Sequence, residues 1–478
     1  MQKRLFIIIS ICLSVTYTNF AQPFINEDWI YQSFIKTVKI IPTKATTSLS
    51  VAGNKTNSLT IVNTSEIELL PLANLSNSVG DFTVTFDDMR GDNKRFRYKI
   101  ELCNADWTSS NLSDLEYIEG FPDDIVPDGD ISLGVSSNYT NYRFSFPTNN
   151  MKIKKSGNYM LHIYEDNSDK TPILSRRFLI IERLLSVSPT FMPTGLADKS
   201  ETHHEFDFIA DSKYFIISNP RQELKAVVLQ NGRWDNAKKN IPPFFMKGNE
   251  LLFDYQDSIV FPAGKEFRNF DIRSLNYRRL GVNKIIADNQ DDIQVLLAKD
   301  SIRPSNRSIF YNDINGTYII DNVDLAAAPT TVIDAGANGI FRQSQNNSLI
   351  NPNSRMRSEY ANVLFRLKAN APFENADVYV MGKIFDWQLY PENKMVYDED
   401  SHEYLAEISM KQGYYNYAYA VVPRTKNKYS APYNLSEIDG DWYETENDYT
   451  ILLYYRPQGG RNDRIIGIGA LNSVKNRK

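Results

Sequence analysis

The chain has 478 residues, more than one hydrophobic core usually organises, so several domains are expected. Its net charge of -5 gives no overall attraction to nucleic acid or to anionic lipid, which argues against a general polyanion binder. With 28 Tyr and 26 Phe against ordinary hydrophobic and charged fractions of 42% and 23%, the composition favours strands over helices.

The first residues, MQKRLFIIISICLSVTYTNFAQ, join a Lys3-Arg4 start to an apolar run over 5–15 and a small residue, Ala21. That run is too short to span a bilayer, and the pattern predicts a secretory signal over 1–21. Asn19 departs from the small residue preferred there, and Cys12 lacks the small residue that lipid attachment needs before it. Cleavage would leave Cys103 alone, excluding an internal disulfide framework and a multi-cysteine metal site.

Over 22–183, alternating runs at 81–86 (DFTVTF), 95–102 (RFRYKIEL), 139–146 (YTNYRFSF), 159–164 (YMLHIY) and 177–181 (RFLII) predict an antiparallel sandwich of immunoglobulin type. A second β unit is expected over 184–350, with strands near 205–209, 224–230, 250–255, 264–275 and 293–299. It ends in a segment, 326–348, whose Ala, Thr, Asn, Gly and Ser read as a flexible loop. The third unit, 351–478, has strand patterns at 363–369, 377–381, 404–410, 414–422 and 449–456. The expected fold is all-β: immunoglobulin-like sandwiches in tandem.

Catalytic and metal signatures are sparse. His203 and His204 are neighbours and point to opposite faces of a strand, so they cannot chelate one ion together. His162 lies within a strand pattern and reads as a sheet residue. No GxSxG, P-loop, GxGxxG or HExxH occurs. The acidic pairs Asp87-Asp88 and Asp123-Asp124 fall where carboxylates satisfy local backbone donors. No cofactor and no catalytic residue is expected.

Two stretches stand out as a candidate interaction surface. In QGYYNYAYAVV, Tyr415, Tyr417 and Tyr419 share one strand face, and MGKIFDW ends upstream at Trp387. Such a row can stack on sugars or on a partner, although tyrosines on a strand more often pack across strands. In GKEFRNFDIRSL (264–275), Glu266, Arg268, Asp271 and Arg273 alternate with apolar residues. A bulge near Arg268 or Asn269 would bring Phe267, Phe270 and Ile272 onto one buried face and Glu266, Asp271 and Arg273 onto the other, with the charges paired as an exposed ladder or docked against a neighbouring domain.

Six segments together resemble the plug protein family of the type IX secretion system: NYRFSFP (141–147), KSGNYMLHIY (155–164), RRFLIIE (176–182), GKEFRNFDIRSL, MKQGYYNYAY (410–419) and ETENDYTILLYYRPQGGRNDRIIG (444–467). The resemblance implies a periplasmic, noncatalytic protein docked peripherally on the outer-membrane translocon barrel, closing its periplasmic mouth when unoccupied. The net charge predicts no nucleic-acid partner, and no segment after 1–21 is apolar enough to predict a transmembrane span in the mature chain. The third unit is also loosely similar to early-set immunoglobulin modules that bind glycogen, with GKIFDW against their GxFNxW-like turn, although Ile384 and Phe385 stand where Phe and Asn are expected. A secreted carbohydrate-binding protein is the alternative.

Overall fold

The computed structural model describes residues 24–43, 70–77, 79–255, 257–289, 292–304, 313–325, 354–424 and 432–475. The expected signal segment and the loop expected over 326–348 lie outside the described residues. The described chain is all-β, and none of its helices is long and apolar enough to cross a membrane.

The N-terminal unit is a sandwich. One sheet holds Ile35–Pro42, Phe82–Asp88, Thr140–Phe146 and Asp130–Ile131. Facing it are Phe96–Cys103, Gly157–Glu165 and the first half of Pro172–Met192. Side chains alternate across a strand, so Phe82, Val84 and Phe86 enter the core with Tyr98, Ile100, Leu161 and Phe178. Thr83, Thr85 and Asp87 point the other way and are buried too. A single sandwich would leave that polar face wet; here the third unit covers it.

The units do not divide where the sequence patterns placed them. The boundary expected at 183/184 falls inside the continuous strand Pro172–Met192, 21 residues long. Its first part pairs with Gly157–Glu165, and its second part with His203–Asp211 of the middle unit. The hairpin Asp448–Tyr455 and Arg464–Asn472, expected in the third unit, joins the middle one: Asp448–Tyr455 pairs with Leu224–Gln230, and Arg464–Asn472 runs parallel to Pro172–Met192. Gly467 and Gly469 permit that approach, since a Cβ on Gly469 would meet Val187 Cγ1 at 2.6 Å. Phe206, Phe208, Val228, Ile451 and Leu453 close the middle core.

Segments expected in the middle unit serve the third. Arg268–Asp271 pairs with Gly413–Pro423, and Asp292–Leu297 runs parallel to Tyr360–Lys368. The third sandwich thus opposes Arg268–Asp271, Gly413–Pro423, Tyr318–Ile320 and Ala376–Met381 to a sheet of Val282–Asn289, Asp292–Leu297, Tyr360–Lys368, Glu403–Lys411 and Val396–Asp398. The chain enters this unit through 263–267 and leaves it through 440–447, and the two connections lie side by side, with Trp442 N–H donating to Gly264 O at 2.8 Å.

Candidate functional site

Gly413–Pro423 carries the tyrosine row. Tyr415, Tyr417 and Tyr419 point into the sandwich, because the facing sheet covers that side of the strand. Tyr415 stacks on Phe270 at 5.1 Å and on Tyr318 at 5.6 Å between ring centres. The Tyr417 and Tyr419 hydroxyls both donate to Asp300 Oδ2 at 2.7 Å. Burial pushes all three phenol pKa values well above the ordinary value. These tyrosines are core residues and present no face to a partner or a sugar, which corrects their expected place on an interaction surface.

The charged stretch is corrected in two respects. Arg268–Asp271 pairs residue for residue with Tyr414–Tyr417, without a bulge. Because the strand begins at Arg268, Phe267 lies ahead of it and packs against Trp387 in a separate cluster, so no bulge is needed to reconcile its direction with that of Phe270. Arg268 shares the core-facing side with Phe270 and Ile272. Nor is the ladder exposed: Glu266, Arg268, Asp271 and Arg273 are all buried.

They are paired, but in three separate groups. Arg268 lies over the Tyr419 ring at 5.1 Å and reaches Asp439 and Asp300, each at 2.7 Å. Asp271 is held by Arg273 and Arg279, each at 2.7 Å. Burial works to raise its pKa, yet these two guanidinium groups hold the carboxyl below its ordinary value. Glu266 belongs with Asp313, to which its carboxyl hydrogen-bonds, and with Glu446, whose N–H donates to Glu266 Oε1 at 3.1 Å. Burial and the Asp313 charge push Glu266 up to about 9, and burial pushes Asp313 up to about 7.

Trp387 marks a junction of all three units. The GKIFDW turn places Asp386 and Trp387 in the left-handed region, at φ 50° and 60°, a strained geometry for two consecutive non-glycine residues. Asp386 takes Arg176 of the N-terminal unit at 2.6 Å and Lys383 at 3.1 Å. Arg233 of the middle unit lies over the Trp387 ring at 4.0 Å. With Phe267 also packed against it, the indole is buried, and a sugar ring has no open face to stack on.

One arrangement has the composition of a catalytic triad. His162 Nδ1 is 2.9 Å from Ser175 Oγ, and its Nε2 is 3.4 Å from Glu101. The geometry does not complete it: Nε2 makes no hydrogen bond, Ser175 and His162 are fully buried, and Phe24 covers the imidazole at 4.4 Å. Burial lowers the His162 pKa and so favours the neutral ring. A nucleophile here would have no approach for a substrate. Among the described residues no cluster of His, Cys, Asp and Glu could hold a metal ion.

Residues 55–182 match the family described as type 9 secretion system plug protein, 1st domain. The N-terminal unit belongs to the type 9 secretion system plug family. A crystal structure of a hypothetical protein from Parabacteroides merdae ATCC 43184 is similar over nearly all of both chains, covering 93% of this one and 99% of that one, with a TM-score of 0.76 and 27% sequence identity. No curated protein matches.

Sequence reasoning missed what joins the plug domain to the rest of the chain. Asp87, read as a turn carboxylate, ends the strand Phe82–Asp88 and meets Lys411 at 2.6 Å. Tyr360 Oη donates to Asp87 Oδ2, and Asn141 Nδ2 to Oδ1, both at 2.7 Å. Lys411 also lies over the Tyr139 ring at 4.0 Å. The one signal available was the alternation in DFTVTFDD, whose polar face was open to solvent or to another domain; nothing local distinguishes the two.

Proposed function

We propose that this chain is a noncatalytic periplasmic plug that docks on the outer-membrane translocon barrel of the type IX secretion system and closes its periplasmic side when it is unoccupied. The observation that carries this reading is the plug-family match over 55–182. The architecture supports it physically. A wide barrel conducts unless a folded body fills its mouth, and such a body must keep its shape against a pore. Here one strand runs through two units, the last hairpin returns to the middle one, and Asp87–Lys411 and Arg176–Asp386 tie the plug domain to the third unit without solvent.

The test is outer-membrane permeability. Deleting the protein in a strain with an assembled, unoccupied translocon is expected to admit large dyes or antibiotics, and the tagged mature protein is expected to copurify with the barrel. Unchanged permeability in that strain would count against closure. Carbohydrate binding has no observation in its favour, since Trp387, Tyr415, Tyr417 and Tyr419 are all buried.

A further inference from the structure

One loop of the third unit presents a composition that the core does not use. Residues 272–281 connect Arg268–Asp271 to Val282–Asn289, and at their tip Tyr277 and Leu280 are 74% and 57% exposed. Arg278, Arg279 and Lys284 are exposed beside them. Between 272 and 287 the sequence has four basic residues, Arg273, Arg278, Arg279 and Lys284, and no acidic one, although the chain as a whole carries -5.

The loop is built rather than frayed. Its base closes where Asp271 N–H donates to Leu280 O at 2.9 Å. Asp324 anchors its rising limb, accepting from Ser274 Oγ at 2.6 Å and Leu275 N at 2.9 Å, and Ser274 Oγ in turn accepts from Asn276 N and Tyr277 N at 3.2 and 3.1 Å. Asp271 fixes Arg279 from below. Gly281, at φ 74°, passes so close to the preceding strand that a Cβ would meet Asn269 O at 2.8 Å. A tip held this way has its backbone ordered before contact, so that docking orders side chains only.

Two of its cations are uncommitted. Arg278 donates only to Asn283 O, at 3.1 Å, and neither it nor Lys284 has an ion pair among the described residues. Three carboxylates that contact the loop, Asp271, Asp321 and Asp324, are engaged within its base. The acidic end of the following hairpin, where Asn289 pairs with Asp292, lies about 20 Å away along the strands.

We propose that this tip, Tyr277 and Leu280 flanked by Arg278, Arg279 and Lys284, docks on an anionic phospholipid headgroup surface. Charge complementarity selects the surface: Arg278 at the tip and Lys284 on the adjoining strand are exposed cations without an ion pair among the described residues, while Arg279 is shared with Asp271. Tyr and Leu at that tip match the boundary between headgroups and acyl chains, where amphipathic rings partition and long cations extend to phosphates. Each cation near such a surface favours partition by about fivefold, screened by salt.

The experiment is flotation of the purified full-length mature chain with vesicles of mixed phosphatidylglycerol and phosphatidylcholine, and with phosphatidylcholine alone. We expect flotation with the anionic vesicles only, weakened by salt. The double substitution Arg278→Glu with Lys284→Glu should lower it at least tenfold, and Tyr277→Ala with Leu280→Ala roughly tenfold, with unfolding midpoints unchanged because the positions are exposed. Absence of flotation, equal flotation with neutral vesicles, or variants that float like the parent would each overturn the proposal. So would variant-sensitive binding to delipidated outer-membrane protein without vesicle binding, which would assign the tip to a protein partner. No translocon is present in this assay, so its result is independent of the plug reading.

Discussion

Asp87 and Lys411 meet at 2.6 Å across the seam between the plug domain and the third unit, and neither side chain reaches solvent. Desolvation makes such a pair weak evidence for net stability, but removing one partner strands the other charge. Lys411→Ala should therefore destabilise the protein by about 3–5 kcal/mol in urea unfolding. Lys411→Met combined with Asp87→Asn should recover part of that loss, since no bare charge is then buried, while the amide keeps an acceptor towards only one of Tyr360 and Asn141. A single substitution with no measurable cost would show that water reaches this seam.

The parallel contact between Arg464–Asn472 and Pro172–Met192 depends on glycine. At Gly469 a branched side chain would overlap Val187, which belongs to the strand shared by two units. Gly469→Val is expected to cost about 1–3 kcal/mol through overpacking. Hydrogen exchange should quicken first in Arg464–Asn472. Exchange that quickened only in the third unit would contradict the observed pairing.

Most strands were legible because their alternation is complete within a few residues, as in Phe82–Asp88, Tyr360–Lys368 and Glu403–Lys411. Which segments pair was not. Pro172–Met192 continues past 183 through Arg183, Ser186, Ser188 and Pro189, where the apolar pattern stops but two neighbouring strands keep the backbone extended. Alternation placed Tyr415, Tyr417 and Tyr419 on one face correctly; it carries no information about whether a second sheet covers that face. The groups around Arg268 and Glu266 draw their partners from Asp300, Asp313, Asp439 and Glu446, so local sequence held no sign of them.

A piece cut at the boundary expected from sequence provides a further test. Residues 351–478 alone would lack Arg268–Asp271 and Asp292–Leu297, which pair with Gly413–Pro423 and Tyr360–Lys368. Their terminal hairpin would expose Ile451 and Leu453 on one face and Leu452 and Tyr454 on the other, all buried in the whole chain. This fragment should be aggregated or unfolded by circular dichroism and gel filtration, whereas the whole mature chain folds. Cooperative unfolding of the isolated fragment would show that its sandwich closes without those strands.

The paired connections between the middle and third units predict a pH dependence. Glu266 lies on the outgoing connection and Glu446 on the returning one, with Asp313 between them accepting from Phe267 N and from Asn315 N. Asn315 and Asn472 donate to Glu446 and Asp448, Arg303 donates to the Glu266 carbonyl and reaches Asp439 at 3.6 Å, and Lys475 partly offsets the rise at Glu446. Burial, then the Asp313 charge, pushes Glu266 up to about 9 from 4.5, so the folded chain retains a proton that the unfolded chain has released. Stability from this group is therefore greatest below about pH 4.5 and falls as pH rises towards about 9. Glu266→Gln keeps a donor towards Asp313 but cannot ionise. It should flatten that part of the slope and leave the variant more stable than the parent near the upper end of the window by several kcal/mol, the order of the penalty for burying an ion. Urea unfolding of parent and variant across the window measures the difference. A difference that stays constant with pH would mean that Glu266 does not exchange its proton on unfolding, and the two connections would then have to be held together by their backbone hydrogen bonds alone.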